Sequence, residues 1–269
     1  MAGRFFTDLL GSRKILSQIM GLYQDCRVSR RQLVAFIDEM NINMEEAERE
    51  NPEMYRSFND FFTRKLKPEA RPLAADPEEL ISPADGRLLA YEKIKGDHLL
   101  QVKGKLFSLA ELLKNSERAS RFKNGSAVVV RLNPSDYHRF HFPADGIPEE
   151  PMAVKGRYYS VNPLSLHMTE RVYNRNRREV TYIHSLEYGM IAMVEVGAAL
   201  VGTIVQTYTP GMPMARGAEK GYFQFGGSTV IILVEPDKIT LDRELLDNTK
   251  DGYETLVKMG ETVGSIKKS

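Results

Sequence analysis

Three short segments of the sequence carry side chains that can take part in catalysis. The first supplies a carboxylate at Asp85, and the third supplies a hydroxyl at Ser228, directly after two glycines. Between them, the second segment supplies two imidazoles, at His138 and His141. A carboxylate, an imidazole and a hydroxyl are the components of an activated serine nucleophile. The residue types therefore favour nucleophilic chemistry at Ser228.

The sequence does not decide which aspartate supplies the carboxylate, because the tetrapeptide that contains Asp85 occurs twice. Pro83-Ala84-Asp85-Gly86 recurs about 60 residues later as 143–146, with Asp145 in the place of Asp85. Asp-Gly is typical of tight turns, so both copies could be turns, or they could mark the duplication of a β unit. From the residues alone, neither aspartate is preferred, and neither is one histidine preferred over the other.

Two other chemistries are less consistent with the pattern. Histidines spaced by three could be a metal pair on one face of a helix, but a third ligand would be needed. The remaining histidines are His98, His167 and His184. No metal site is expected. The Gly-x-Ser-x-Gly turn of hydrolases is absent, since Val230 stands where its second glycine would be.

The sequence predicts helices in the N-terminal part of the chain and strands in the part that follows. Apolar residues recur at helical spacing over 4–23, and Ser29 with Gln32 forms a capping-box pattern before a second helix. Ser57 opens a third helix. A turn-rich link over 67–72 ends this part. Valine-rich strands are predicted at 126–132, 181–188, 190–196, 199–207 and 229–234, with one helical turn or two at 109–113.

Composition excludes several classes of protein. The 269 residues carry a formal net charge of +1, so no nucleic-acid partner is expected. A single cysteine, Cys26, excludes an internal disulfide. The longest apolar stretch, Gly189 to Val205, is shorter than the roughly 20 residues of a membrane span and is interrupted by glycines. We predict two buried strands there instead.

Taken in order, several segments resemble the phosphatidylserine decarboxylase family. The resemblance covers about residues 57 to 235, and Gly-Gly-Ser-Thr at its end indicates one branch of the family. A departure at Arg177, where members often have glutamate, affects only the role of that residue. The segments that carry the resemblance are Phe61–Pro68, Arg71–Pro72, Ser82–Gly86, Val102–Gly104, Phe107–Leu109, Asp136–His141 with Pro143, Ser160–Asn162 and Lys220–Thr229.

The resemblance implies a role for each candidate residue. Ser228 would attack the Gly227 carbonyl, cut the chain and become a covalent pyruvoyl group that forms a Schiff base with the substrate amine. His141 would be the general base of this cleavage, and Asp85 would orient His141. His138 would serve the decarboxylation. Cleavage would leave a β chain of residues 1–227 and an α chain of residues 228–269.

The order of the predicted elements sets the expected architecture, and the resemblance sets the expected substrate. Since helices come first and do not alternate with the strands, we expect an α+β fold, with a mostly antiparallel sandwich or barrel over 73–269 and a membrane-associating layer of amphipathic helices over 1–72. The substrate would be phosphatidylserine, decarboxylated to phosphatidylethanolamine and CO₂. Expected partners are an anionic membrane surface, the two chains of one precursor, and a second copy in a homodimer. The location would be peripheral, on the cytoplasmic face of the cell membrane.

Two alternative functions stay open at this point. One is pyruvoyl-dependent decarboxylation of a free amino acid, which would give no reason for membrane-facing helices. The other is a non-enzymatic β domain that carries or binds a ligand, suggested by the repeated Pro-Ala-Asp-Gly. The residues that contact the headgroup are also undecided among Arg139, Lys155 and Arg157.

Overall fold

The computed structural model describes residues 22–94, 98–102, 105–198, 203–226 and 228–267. Its helices are α1 (Leu33–Glu39), α2 (Phe58–Phe62), α3 (Leu109–Leu113), α4 (Ser116–Ser120), α5 (Pro163–Met168), α6 (Val172–Arg175) and α7 (Arg243–Lys250). Short 3₁₀ turns lie at Arg27–Gln32, Met44–Glu46, Pro52–Met54 and Pro68–Ala70. The predicted helix over 4–23 lies almost wholly outside the described residues.

Strands dominate the chain after residue 78. They are β1 (Glu79–Ile81), β2 (Gly86–Tyr91), β3 (His98–Val102), β4 (Lys105–Ser108), β5 (Ser126–Leu132), β6 (Arg139–His141), β7 (Ile147–Pro148), β8 (Met152–Val154), β9 (Arg178–Ser185), β10 (Gly189–Gly197), β11 (Ile204–Gln206), β12 (Glu219–Phe223), β13 (Ser228–Val234), β14 (Ile239–Leu241), β15 (Thr255–Val257) and β16 (Thr262–Ile266). The predicted α+β class with antiparallel sheets is confirmed.

The largest sheet has eight strands and is antiparallel throughout. Its order is β15-β2-β5-β13-β10-β9-β7, and β8 also pairs with β9. Strand β13 lies in the interior, between β5 and β10, with Ser228 opposite Leu132 on one side and Gly197 on the other. The candidate nucleophile therefore begins a central strand, whose position is fixed from both sides by backbone hydrogen bonds.

Both faces of this sheet are buried, which accounts for its continuous apolar strands. Side chains alternate between faces along a strand. Val230 and Ile232 of β13 belong to one apolar cluster, and Ile231 and Leu233 belong to another on the opposite face. Strands covered on both faces read as unbroken apolar runs rather than as alternating patterns. This is why β5 and β13 were predictable from the sequence.

A smaller sheet, β11-β12-β6, carries the histidine segment against the large one. A fully buried ion pair links the two sheets, with Lys220 Nζ of β12 3.0 Å from Glu195 Oε1 of β10. Gln206 of β11 accepts a further hydrogen bond from Lys220, at 2.8 Å. Burial lowers the pKa of Lys220 and raises the pKa of Glu195. Separating the two strands would leave each charge buried without its partner, which is strongly destabilising. The pair therefore holds β12 against β10.

The described helices before residue 73 pack together and onto the β part. Phe58, Phe61 and Phe62 of α2 form a buried cluster with Leu33 of α1, and Phe225 packs against it. The predicted cap of α2 is confirmed, since the Ser57 hydroxyl accepts from the Asp60 amide. This layer therefore reaches the segment directly before Ser228.

The capping box predicted at Ser29 is wrong. A helix does follow, but Ser29 lies inside the 3₁₀ turn Arg27–Gln32 and α1 begins at Leu33. The Ser29 hydroxyl instead donates to the Cys26 carbonyl at 2.7 Å and accepts from the Phe58 amide at 2.9 Å. A tertiary contact 29 residues away thus replaces the local cap.

The apolar stretch from 189 to 205 forms strands, as predicted. Strand β10 covers its first part and β11 begins at Ile204, while residues 199–202 lie outside the described part. Within the described residues, no helix has both the length and the apolar character needed to cross a bilayer.

Candidate active site around Ser228

Ser228 is completely buried at the first position of β13. Its backbone belongs to the sheet ladder, but its hydroxyl has no hydrogen-bond partner among the described residues. Buried hydroxyls are rarely left without a partner, and exceptions often mark functional positions. Gly226, two residues before it, has φ 138°, a backbone conformation that glycine adopts far more readily than other residues. The segment before the serine therefore depends on a glycine.

His138 lies beside this segment. Its Nδ1 donates a hydrogen bond of 2.9 Å to the Asp136 carbonyl, so its Nε2 carries the free lone pair. That Nε2 has no hydrogen-bond partner in the described part of the chain. Complete burial lowers the pKa of His138 to about 3, although the nearby Gly226 backbone acts to raise it. The imidazole is thus neutral, with its basic nitrogen available close to Gly226.

His141 occupies a different environment. Its Nδ1 donates to the Gly217 carbonyl at 2.9 Å, and its Nε2 lies 3.2 Å from the Tyr137 hydroxyl, which donates to it. Burial lowers the pKa of His141, so this imidazole is also neutral. It lines a cavity of 280 Å³ together with Arg71, Tyr137 and Met259.

The two histidines do not share a helical face. Residues 139–141 form β6, and an offset of three along an extended strand directs side chains to opposite sides. The ring of His138 packs against Phe62, with centroids 3.9 Å apart, whereas His141 faces the Arg71 cavity. The helical face on which the metal-pair interpretation was based is therefore not formed.

Asp85 is buried next to His141 but bonds to other groups. Its carboxylate accepts from Arg71 Nε at 2.8 Å and from the Met259 amide at 2.8 Å. No hydrogen bond joins it to His141 in the residues that the structure describes, where the Gly217 carbonyl orients that imidazole. The negative charge of Asp85 nevertheless raises the pKa of His141, against the larger effect of burial. Its predicted orienting role stays a prediction.

The repeated Pro-Ala-Asp-Gly segments pack against each other. The His141 amide donates to the Pro83 carbonyl at 2.8 Å, and the Ile81 amide donates to the Pro143 carbonyl at 3.1 Å. Asp145 is exposed and accepts a hydrogen bond of 2.6 Å from the Arg216 amide. Of the two aspartates that the sequence left undecided, Asp85 is the one buried beside a histidine.

Helix α2 supplies contacts that sequence reasoning missed. Asn59 Oδ1 accepts from the Phe225 amide at 2.8 Å, which fixes the segment before Ser228. Phe62 covers His138, and Arg64 is buried directly after the helix. Phe62 and Arg64 belong to Phe61–Pro68, one of the segments that carry the family resemblance. Nothing in the pattern of that segment predicts contact with the chain around Ser228.

The sequence candidates for headgroup binding are differently placed. Arg139 is occupied, since its Nη1 lies 2.8 Å from both carboxylate oxygens of Glu219 and its Nε donates to the Thr63 carbonyl. Lys155 and Arg157 are exposed. None of the three is joined to Ser228 or His138 by a described contact.

The antiparallel β core thus holds a buried serine with an unpartnered hydroxyl, a glycine two residues before it, and two buried, neutral histidines. The family model described as "Phosphatidylserine decarboxylase" matches residues 58–265. A "Phosphatidylserine decarboxylase proenzyme" of Clostridium novyi (strain NT) is 47% identical over 98% of this chain and 89% of its own length. A protein of the same description from Desulfitobacterium hafniense (strain DSM 10664 / DCB-2) is 48% identical over 97% of this chain and 88% of its own. The chain belongs to the phosphatidylserine decarboxylase family.

Proposed function

We propose that this chain is a self-processing, pyruvoyl-dependent phosphatidylserine decarboxylase. The observation that carries the proposal is the buried Ser228 hydroxyl without a partner at the start of a central strand. It occurs in a chain whose relatives are described as decarboxylase proenzymes over nearly its whole length. As a carboxy-lyase it would convert phosphatidylserine to phosphatidylethanolamine and CO₂.

Self-cleavage would begin when the Ser228 hydroxyl loses its proton to a neutral imidazole. The Oγ–carbon bond to the Gly227 carbonyl forms, the Gly227–Ser228 peptide C–N bond breaks, and the freed amine takes the proton. Elimination then releases the carboxylate of Gly227 and leaves dehydroalanine, which water converts to a pyruvoyl group and ammonia. A histidine is suited to the first step because it can remain neutral near pH 7.

His141 is the proposed base, and Asp85 its proposed orienting group. The hydrogen bond from its Nδ1 to Gly217 leaves Nε2 as the basic nitrogen. Asp85 is bound by Arg71, which lines the same cavity, and the charge of Asp85 favours the imidazolium that forms when His141 takes a proton. Loss of the Asp85 charge should therefore weaken the base.

The residues around Ser228 fit the pyruvoyl group that the family implies. The hydroxyl that would become the group is buried and unpartnered, and the free Nε2 of His138 lies beside Gly226. Once formed, the group supplies a carbonyl that accepts the electrons left by departing CO₂. Because His138 is neutral, its Nε2 can accept a hydrogen bond from the substrate ammonium, and a proton passed along that contact would be delivered to the substrate carbon after decarboxylation.

The mass of the purified protein tests this function directly. We expect two chains of 227 and 42 residues, the shorter one blocked at its N-terminus and reactive toward hydrazines. The same preparation should release CO₂ from phosphatidylserine but not from free serine. Turnover of free serine alone would instead support an amino-acid decarboxylase. A single uncut chain in active protein would contradict the proposal, and an uncut, inactive chain would favour a binding domain.

Binding to an anionic membrane surface is the second part of the proposal. A cleft of 590 Å³ between the segments 27–31 and 53–56 is lined by four arginines and one acidic residue, Glu53. The arginines are Arg27, Arg30, Arg31 and Arg56. Exposed apolar side chains lie in the same part of the chain, at Leu22, Val28, Val34 and Met54. Basic groups beside apolar ones suit a surface of anionic lipid headgroups.

We therefore keep residues 1–72 as a proposed membrane-associating region and residues 73–269 as the catalytic region. The protein would be peripheral, on the cytoplasmic face of the membrane. The apolar N-terminal segment expected to lie in the bilayer interface, 4–23, falls almost wholly outside the described residues. The homodimer stays a prediction, which light scattering of the purified protein can test.

Neutralising the cleft should release the protein from membranes. Each basic residue near an anionic surface contributes about 1 kcal/mol, so changing Arg27, Arg30 and Arg31 to glutamine should weaken binding roughly 100-fold. Co-sedimentation with phosphatidylserine-containing vesicles measures this. Self-cleavage should continue, because none of the three side chains contacts the serine site.

A matched control replaces three exposed lysines that do not line the cleft with glutamine. Suitable positions are Lys114, Lys123 and Lys250. This variant should bind vesicles as the wild type does. Equal binding by the arginine variant and the control would place the contact surface elsewhere.

A further inference from the structure

Arg64 is a buried cation at the junction of α2 and the candidate active site. Only 4% of the residue is exposed, and its guanidinium lies 4.8 Å from the centre of the Phe61 ring. One nitrogen, Nη2, donates to the Ser135 carbonyl at 3.3 Å. Ser135 belongs to the loop that leads to His138. The arginine therefore contacts the catalytic segment through the backbone of that loop.

Most of the hydrogen-bonding capacity of Arg64 is unused. Its Nε and Nη1 have no hydrogen-bond partner, and no carboxylate is paired with it among the described residues. Other buried arginines are satisfied: Arg71 by Asp85, Arg131 by Glu254, and Arg178 by backbone carbonyls. A buried charge without a counter-charge destabilises the folded state, and Arg64 is such a charge.

The unpartnered donors lie near the proposed chemistry. Arg64 bonds to the carbonyl of Ser135, three residues before His138, and Phe62 of the same segment packs on the His138 ring with centroids 3.9 Å apart. The positive charge of Arg64 also lowers the pKa of His138. His138 Nε2 and the Ser228 hydroxyl are also buried without partners. The contacts of Arg64 and Phe62 with the His138 segment thus bring unpartnered polar atoms of Arg64 and His138 into one part of the fold, as expected of a site completed by a polar ligand.

We propose that Arg64 binds an oxyanion of the substrate headgroup through one of its free donors, Nε or Nη1. This inference rests on the proposed function, because it assigns a binding residue to the same site. Guanidinium groups form charge-assisted hydrogen bonds to phosphate and carboxylate, and the serine headgroup offers both. Burial next to Phe61 strengthens such a contact by excluding water.

The phosphodiester is the oxyanion that suits this arginine better. The carboxylate gives up its charge as CO₂ leaves, so a cation held on it would stabilise the substrate more than the transition state. The phosphodiester keeps its charge throughout the reaction. An arginine bound to it can hold the headgroup without slowing the chemical step.

The test compares Arg64→Gln with the wild type in coupling amines to the pyruvoyl carbonyl. Cyanoborohydride reduces the adduct, and the mass of the 42-residue chain reports the coupled fraction at each amine concentration. Three amines are used: dihexanoylphosphatidylserine, with phosphodiester and carboxylate; dihexanoylphosphatidylethanolamine, with phosphodiester alone; and ethanolamine, with neither. Arg64→Lys serves as the conservative variant.

Arg121→Gln is the control for loss of a guanidinium. Arg121 pairs with Glu235, which follows the last residue of β13, whereas Ser228 is its first. A strand of seven residues separates the two positions by roughly 20 Å. This variant should couple all three amines as the wild type does.

We expect Arg64→Gln to raise the half-saturating concentration of both phospholipids about 10- to 100-fold and to leave that of ethanolamine unchanged. Arg64→Lys should recover part of the loss. An increase confined to phosphatidylserine would assign the oxyanion to the carboxylate and still support the site. Equal changes for all three amines, or none, would overturn the inference.

Loss of self-cleavage in both Arg64 variants would also overturn it, because the guanidinium would then serve the precursor. These outcomes are separate from failure of the proposed function. If the wild type itself couples no amine, the pyruvoyl assignment fails. If the wild type and Arg64→Gln couple all three amines alike, only the inference on Arg64 fails.

Discussion

Ser228→Ala should leave the chain as a single uncut polypeptide with no decarboxylase activity. The side chain is both the proposed nucleophile and the precursor of the pyruvoyl carbonyl, so one substitution removes both steps. We expect activity to fall by about 10³-fold or more, as for loss of a catalytic nucleophile elsewhere. Electrophoresis and intact mass measure cleavage, and release of CO₂ from phosphatidylserine measures turnover.

Ser126→Ala is the matched control. Ser126 is also a buried serine of the large sheet, but it pairs with Val234 at the opposite end of β13. Its variant should be cut and active. Continued cleavage of the Ser228→Ala chain at the same bond would show that another group attacks it.

The two histidines should separate the two steps of the reaction. His141→Ala should stop or greatly slow cleavage, because the proposed base is removed. His138→Ala should leave cleavage largely intact and reduce decarboxylation, by about 10²-fold or more for loss of a proton-transfer group. Cleavage is followed by electrophoresis during expression, and turnover is measured on the processed fraction.

The two histidines have different surroundings, so their substitution should have different effects. Its free Nε2 lies beside Gly226, whereas the Nε2 of His141 is occupied by the Tyr137 hydroxyl. If His138→Ala blocks cleavage and His141→Ala does not, the two roles are interchanged. His184→Ala, which removes an exposed histidine bound to Glu149, should change neither step.

Asp85→Asn should also stop or greatly slow cleavage, and its stability must be measured alongside. Breaking a buried ion pair costs about 3–5 kcal/mol, and Asp85 and Arg71 are both nearly buried. A variant that keeps the wild-type Tm but is not cut would support the orienting role. A variant that unfolds earlier and is cut normally at low temperature would assign Asp85 to stability alone.

Much of the fold could be predicted because its signals are local. The apolar runs at 126–132 and 229–234 form strands in the interior of the large sheet, where burial on both faces requires continuous apolar residues. The cap at Ser57 was also predictable, since its partner, the Asp60 amide, lies three residues away. At Ser29 the same kind of pattern failed, because its hydroxyl bonds to the Phe58 amide instead.

The sequence identified the candidate catalytic residues by type, but it did not predict which groups surround them. A spacing of three between the histidines suited a helix equally well, and only the strand β6 separates them to opposite sides. Likewise, two aspartates in identical tetrapeptides could not be told apart. The pairing of Asp85 with Arg71 beside His141 depends on packing between distant segments.

By itself the sequence determined the antiparallel β class, the central strands and a serine after two glycines, because propensity and periodicity act over a few residues. The tertiary structure decided which polar groups are buried and which of them lack partners. Arg64 shows the difference, since it stands in sequence beside the basic residues Lys65 and Lys67 and yet is buried, with its guanidinium over the Phe61 ring. Burial and pairing arise when distant segments meet, and no local pattern encodes them.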